Sequence, residues 1–161
     1  MNSEIPGFNE LYQKHKDMVY RLCYLYLKNR SDAEDAVQSV FLKYISSKAT
    51  YENPSHEKAW FITTSKNYCM NALKNWWKSR RIAIEDLPEI PTCDTHVERG
   101  VVFEKLLSLP AKYKTVLYLY YYEGYSINEI SVILGRKTST IQTQLSRGRE
   151  RLKISLGGYY E

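Results

Sequence analysis

Two short helices on either side of Gly135 are the feature that most constrains how this chain can fold. In "YSINEISVILG", Ser126 stands three residues before Glu129, which is the capping-box pattern, and the apolar residues recur at helical spacing. Gly135 can adopt the left-handed conformation that ends a helix. The following stretch, "RKTSTIQTQLSRGRERL", predicts a second helix capped by Thr138 or Ser139. Two helices joined by a turn of about three or four residues form a helix-turn-helix.

The second of these helices has only one narrow apolar side, formed by Ile141, Leu145, Gly148 and Leu152. Its other sides present short hydroxyls, amides and guanidinium groups, which bind base edges and phosphates in a DNA major groove. These polar positions are Ser139, Gln142, Thr143, Gln144, Ser146, Arg147, Glu150 and Arg151. A solvated surface helix would show the same polar face, but the helix in front of it favours DNA recognition.

A further helix is predicted upstream of the pair, in "LPAKYKTVLYLYYYEG". Pro110 suits the start of this helix, and Gly124 suits its end. We expect this helix to cover the apolar sides of the two helices that follow.

The composition, 43% hydrophobic and 25% charged over 161 residues, is typical of a globular protein of one domain or two small ones. The sequence contains no run of 18 apolar residues and no signal-peptide pattern, which predicts a soluble cytoplasmic protein. It also lacks a Gly-rich phosphate loop, a nucleophile elbow and a cluster of histidines with carboxylates. We therefore predict that the chain is not an enzyme and holds no cofactor.

The three cysteines predict neither a disulfide framework nor a metal site. Cys23 and Cys69 lie on apolar helix stripes and are expected to be buried thiols. Cys93 and His96 form a lone CxxH pair without a second pair of ligands, so we interpret it as chance rather than zinc binding.

Charge divides the chain into three parts. Residues 82–100 carry one basic and five acidic side chains, whereas residues 1–81 and 101–161 both carry an excess of basic ones. The acidic segment has two prolines and no helical period, so it predicts a linker between two helical domains. It could be a solvated tether or an acidic strand that occupies a basic channel.

The first domain is predicted to contain three helices. An apolar stripe through residues 8–28 predicts the first, with His15 at the edge of the core. Ser31 and Glu34 suggest a capping box for the second helix, whose core stripe is Ala33, Val37, Val40 and Tyr44. On its opposite side Leu42 lies with Asp35 and Gln38. A single exposed leucine is ordinary, but one framed by polar groups can also receive a partner helix.

The third helix is predicted over roughly residues 57–81. Its apolar side holds Phe61, Ile62, Cys69, Ala72, Leu73 and Trp76. A separate stripe carries Asn67, Asn71, Lys74, Lys78 and Arg81, with Trp60 near its head and Trp77 near the margin of the apolar side. Cations that follow phosphates and rings that stack on bases suit a single nucleic-acid strand. The tryptophans could instead be core residues, Trp76 most of all.

Three motifs in this order resemble the extracytoplasmic-function (ECF) sigma factors, the small two-domain sigma subunits of bacterial RNA polymerase. "SDAEDAVQSVFLKYI" resembles their polymerase-binding helix, and "KAWFITTSKNYCMNALKNWWKSRR" resembles their promoter-melting helix. The stretch from "LPAKYKTV" to "SRGRERL" resembles their C-terminal helix-turn-helix, and the whole resemblance covers about residues 8–153.

The resemblance implies a site for each motif. The expected docking residues on the coiled coil of the largest polymerase subunit are Asp35, Gln38, Phe41 and Leu42. The melted minus-ten strand is expected to contact the loop 46–58 together with Trp60, Asn67, Asn71, Lys74 and Lys78. The minus-35 duplex is expected to contact Lys137, Ser139, Gln142, Thr143, Ser146 and Arg147.

The resemblance has further implications. Gln142 and Gln144 stand where many family members carry a basic residue, so the minus-35 preference of relatives cannot be transferred. The acidic linker resembles the segment that threads toward the polymerase active-site cleft. An anti-sigma factor is a candidate partner, although no residue pattern here points to one.

The sequence thus predicts an all-α fold of two small helical domains, 1–81 and 101–161, joined by the acidic linker 82–100. The predicted function is to recruit RNA polymerase core to promoters and to nucleate strand opening, without metal, catalysis or membrane insertion. The alternative is a helix-turn-helix regulator that binds duplex operator DNA as a dimer without polymerase. An RNA-binding adaptor is disfavoured because the sequence has no aromatic-bearing sheet motif.

Overall fold

The computed structural model describes residues 7–47, 51, 53–80 and 100–155, and the regular structure in these ranges is helical throughout, as predicted. The chain divides into two compact units, Met1–Asp94 and Thr95–Glu161, and each is described by itself. The predicted linker lies outside the described residues except for Gly100. Cys93 and His96 lie outside them too, so the structure does not bear on the CxxH pair.

The first unit contains three helices, α1 (Phe8–Leu27), α2 (Arg30–Ser47) and α3 (Pro54–Arg80). Most of the apolar stripe predicted for α1 is buried, and Val19, Leu22 and Cys23 are completely shielded from solvent. α1 ends at Lys28, which adopts a left-handed conformation with φ of 57° and donates its N–H to the Tyr24 carbonyl. The chain therefore reverses sharply, and α2 begins after Asn29.

The prediction that Ser31 and Glu34 form a capping box for α2 is wrong. Asn29 Oδ1 accepts a hydrogen bond from the Asp32 N–H at 3.0 Å, and the Asn29 carbonyl accepts from the Ala33 N–H. Asparagine is among the strongest N-capping residues, and the tight turn at Lys28 places Asn29 directly before the helix. Glu34 instead accepts a hydrogen bond from Arg30 Nε at 2.8 Å, one turn along the exposed surface.

α3 begins at Pro54, three residues earlier than predicted. Proline suits the first turn of a helix because its fixed φ is helical and it has no N–H to leave unpaired. The Asn53 side chain accepts from the Ser55 N–H at 2.9 Å and so caps this start. Residues 46–47 and 54–58 of the predicted loop 46–58 are therefore helical, and of the remaining residues only Tyr51 and Asn53 lie within the described part of the chain.

The second unit contains α4 (Val101–Leu107), α5 (Ala111–Tyr121), α6 (Ile127–Leu134) and α7 (Thr138–Ser155). Sequence reasoning missed α4, although Phe103, Leu106 and Leu107 follow helical spacing and are all buried. Pro110 precedes the first residue of α5, as predicted, and Gly124 adopts a φ of 73° after the helix has ended at Tyr121.

The predicted helix-turn-helix consists of α6 and α7. Both hydrogen bonds of the capping box between Ser126 and Glu129 are present, and Gly135 is left-handed with φ of 65°. α7 already begins at Thr138, and the Ile141 N–H donates to the Lys137 carbonyl, so the predicted cap at Thr138 or Ser139 is displaced by one residue. The predicted apolar side of α7 is confirmed, because Ile141 and Leu145 are buried.

Gly148 allows α5 and α7 to approach closely. A Cβ at this position would lie 2.9 Å from Leu117 Cδ1 and 3.3 Å from the Tyr113 Cβ, both on α5. Arg149, the next residue, donates from Nε to the Tyr121 hydroxyl at 2.6 Å. The two helices are thus fixed against each other, and the polar face of α7 is held on a rigid support.

Candidate polymerase and nucleic-acid interfaces

The face predicted to bind polymerase lies on α2. Asp35, Gln38 and Leu42 are all exposed, and their spacing of three and four residues places them on one side of the helix. The Leu42 side chain is 58% exposed, on the side of α2 opposite the buried Ala33, Val37 and Val40. The exposed face of α2 therefore carries one apolar side chain, Leu42, beside the polar side chains of Asp35 and Gln38.

Phe41 does not belong to this face, in contrast to the prediction. Its side chain is only 3% exposed, and its ring centroid lies 4.9 Å from that of Tyr12 and 5.0 Å from that of Phe61. Consecutive helical residues point about 100° apart, so the residue before an outward Leu42 turns into the core. Phe41 therefore packs in the core beneath α2 and is not part of its exposed face.

The stripe predicted to hold single-stranded DNA is exposed along α3. Asn67, Asn71, Lys74 and Lys78 all face solvent at helical spacing. Sequence reasoning overlooked Met70, which is 39% exposed three residues after Asn67 and four before Lys74. This helical spacing from Asn67 and Lys74 is the sequence signal that could have placed Met70 on the stripe. The stripe therefore combines amides and cations with an apolar side chain.

The tryptophans fall into two environments. Trp60 is half-buried at the head of the stripe, with its ring 5.3 Å from that of Tyr44 and 5.1 Å from that of Phe61, both edge-on. The pKa of the Tyr44 phenol is raised, mainly because burial disfavours its charged form and secondly because the negative charge of Glu57 lies nearby. Trp77 is 37% exposed and contacts the ring of the half-buried Trp76. Trp60 and Trp77 thus both retain exposed ring surface near the stripe.

The residues predicted to contact the minus-35 duplex lie around the start and outer side of α7. All six are exposed: Lys137, Ser139, Gln142, Thr143, Ser146 and Arg147. Thr143 is oriented by its hydroxyl, which donates to the Ser139 carbonyl at 3.0 Å. The neighbouring Gln144 is half-buried, and its Oε1 accepts from Arg136 Nη1 at 2.9 Å. Gln142 is therefore exposed to a duplex, whereas Gln144 is half-buried and hydrogen-bonded to Arg136.

A shallow open cavity of about 280 Å³ lies beside this face, between α5 and α7. Lys112 of α5 and Arg147 of α7 both line it. Sequence reasoning missed Lys112 because no local pattern relates it to Arg147, which lies far along the chain. Only the packing of the two helices brings these cations to one cavity.

No cluster of three or more histidine, cysteine, aspartate or glutamate side chains suitable for an ion occurs among residues 7–47, 51, 53–80 and 100–155. Within the same ranges, no helix combines the length and apolar character needed to span a bilayer. Cys23 and Cys69 are buried free thiols, as predicted.

Comparison with known proteins identifies two family domains in this chain. The family described as Sigma-70 region 2 matches residues 11–79, and the family described as Sigma-70, region 4 matches residues 92–152. The first match contains the α2 face and the α3 stripe. The second contains α6 and all but the last three residues of α7.

Similar full-length proteins are sigma factors. RNA polymerase sigma factor SigV of Bacillus subtilis is 33% identical over 146 residues, which cover 88% of this chain and 86% of that protein. ECF RNA polymerase sigma factor SigE of Mycolicibacterium smegmatis is 30% identical over 158 residues, covering 92% of this chain and 61% of that longer protein.

A solved structure supports the same fold. The sigma factor RpoE of Bartonella quintana, crystallised with the anti-sigma factor NepR, matches with a TM-score of 0.75 at 21% identity, over 98% of this chain and 100% of that one. At this identity the likeness concerns the fold alone. The two family domains and the identity to SigV show that the chain belongs to the sigma-70 family of RNA polymerase sigma factors, with ECF sigma factors among its relatives.

Proposed function

We propose that this sigma factor recruits RNA polymerase core to a restricted set of promoters in three separate contacts. The α2 face, Asp35, Gln38 and Leu42, docks on the coiled coil of the largest polymerase subunit. The α7 face binds the minus-35 duplex. The α3 stripe, with Trp60 at its head, holds the melted minus-ten strand.

The observation that carries the proposal is the exposed stripe on α3. A protein that only binds duplex operators needs a recognition helix, and α7 would suffice. Asn67, Asn71, Lys74 and Lys78 would then have no role, whereas a strand-opening factor requires amides, cations and rings on one surface. The operator-binding alternative is therefore not favoured, in agreement with the sigma-factor family of the chain.

The proposal assigns no catalytic step to this chain. Polymerase performs phosphoryl transfer in the cytoplasm, and the sigma factor contributes binding energy and the choice of start site. Regulation by an anti-sigma factor is part of the proposal, because the similar RpoE was crystallised with such a partner.

Run-off transcription on genomic fragments tests the proposal. Purified full-length protein should co-purify with core polymerase and support transcripts from a small number of fragments. Core alone and the Leu42→Arg holoenzyme serve as controls and should yield none of these transcripts. Sequence-specific binding to duplex DNA by the chain alone, with no transcripts when core is added, would support the operator-binding regulator instead.

A further inference from the structure

The cavity between α5 and α7 has the chemistry of an anion site. Two cations line it, Lys112 from the first turn of α5 and Arg147 from the middle of α7. The hydroxyl residues Ser139, Thr140 and Thr143 line it as well, and no acidic residue is among its lining residues. A phosphate oxygen entering the cavity would meet donors from two helices.

Gln144 supplies a donor of fixed orientation. Its Oε1 is occupied by Arg136 Nη1, and Arg136 does not line the cavity. The amide nitrogen of Gln144 is left to meet a ligand, and an amide nitrogen only donates. A donor of this kind suits a phosphate oxygen and does not suit a cation.

The floor of the cavity is rigid. Tyr113 is 4% exposed, and its ring lies 5.0 Å from Lys112 Nζ on one side and 5.0 Å from the Arg151 guanidinium on another. The close approach of Gly148 to Leu117 fixes the spacing of α5 and α7. The two helices that form the cavity are therefore packed directly against each other.

We infer that this cavity binds one backbone phosphate of the minus-35 duplex, and that Lys112 is a DNA-contacting residue of this sigma factor. The inference rests on the proposed function, because the cavity shares Ser139, Thr143 and Arg147 with the face of α7 that enters the major groove. A phosphate held here would add affinity for the duplex beside the face of α7 on which Gln142 and Ser146 read the bases. The contact itself is independent of sequence.

The first experiment measures how the affinity of reconstituted holoenzyme for a promoter depends on salt. Removing one phosphate contact should lower the slope of log affinity against log salt by about 0.9. We expect this reduction for Lys112→Gln, with unchanged minus-35 preference, and recovery of the slope in Lys112→Arg. Lys153→Gln removes the same charge from an exposed site outside the cavity and should alter the slope much less.

The second experiment locates the phosphate. Neutral methylphosphonates are placed singly along both strands of the minus-35 region, and affinity is measured for parent and Lys112→Gln holoenzymes. One position should weaken the parent at least tenfold and leave the Lys112→Gln holoenzyme nearly unaffected, because the contact is already lost. If every position weakens both holoenzymes equally, or if Lys112→Gln changes the preferred bases, the inference is wrong.

Two further outcomes separate the possible sources of failure. Inorganic phosphate replacing chloride at matched ionic strength should compete with DNA for the cavity and should therefore weaken promoter binding by the parent holoenzyme more than by the Lys112→Gln holoenzyme. Equal weakening of both holoenzymes would overturn the inference. If the parent itself lacks any minus-35 preference, the proposed function fails together with this inference, whereas a parent with normal preference but no sensitive phosphate defeats the inference alone.

Discussion

His15 Nε2 lies 2.7 Å from Glu57 Oε1, which joins the middle of α1 to the first turn of α3. His15 is 3% exposed and stacks on Phe61 at 4.6 Å between ring centroids. On the solvent side, Lys14 Nζ lies 3.8 Å from the same carboxylate oxygen. The contact joins α1 to α3 about one turn before Trp60.

Glu57→Ala should therefore destabilise the first unit, because it leaves a buried imidazole nitrogen without its partner at a cost of about 1–3 kcal/mol. Lys14→Ala removes only an exposed charge and should change the free energy of unfolding by less than about 0.5 kcal/mol. The three tryptophans are Trp60, Trp76 and Trp77, all in the first unit, so urea unfolding followed by tryptophan fluorescence reports on this unit alone. Equal effects of the two changes would contradict the role of the buried contact.

Leu42→Arg should abolish binding to core polymerase and leave helicity and unfolding nearly unchanged, because the side chain is 58% exposed. The adjacent Phe41→Ala provides the contrast, since it empties part of the aromatic core and should cost about 3–5 kcal/mol. Core binding is measured by co-purification and folding by circular dichroism. Loss of fold in Leu42→Arg would place Leu42 in the core and remove the docking argument.

Asn67→Ala combined with Asn71→Ala should leave core binding and closed promoter binding intact but reduce permanganate-detected melting. Both side chains are exposed, so the change removes contacts with unpaired bases without disturbing packing. A promoter with a premelted bubble should restore part of the transcription, because the cost of opening has already been met. Normal melting by the double variant would exclude this stripe as the strand-holding surface.

Gln142→Arg should change which minus-35 sequences are preferred, because Gln142 is exposed on α7 and each good base contact contributes about 1–3 kcal/mol. Lys137→Gln should instead weaken all sequences about equally and lower the salt dependence, as expected for a phosphate contact. Selection from randomised promoters separates the two effects. An unchanged preference in Gln142→Arg would show that this position does not read the duplex.

Gly148→Val should destabilise the second unit by about 1–3 kcal/mol, because even a Cβ there would approach Leu117 to 2.9 Å. Glu150→Val introduces the same side chain at an exposed position of α7 and controls for the helix preference of valine. Thermal unfolding is followed by circular dichroism, with tryptophan fluorescence as the unaffected signal of the first unit. Similar melting temperatures for both variants would mean that α5 moves away without cost.

The sequence by itself determined the features that depend on neighbouring residues. The capping box at Ser126 and the left-handed Gly135 are local events, since each involves a few consecutive residues. The exposure of Leu42 and the stripe from Asn67 to Lys78 follow from helical periodicity, which fixes the relative directions of side chains along a helix. The helical fold and the helix-turn-helix could therefore be predicted without coordinates.

Only the tertiary structure decided the features that join distant parts of the chain. Helical periodicity shows which side of a helix is more apolar, but it does not show how much of that side a neighbouring helix covers. Phe41 was therefore predicted on the exposed face of α2, whereas it is buried. The contact between His15 and Glu57 arises where two helices pack, and so does the cavity lined by Lys112 and Arg147. Such contacts depend on helix separation and rotation, which the packing of many side chains sets together and no local pattern encodes.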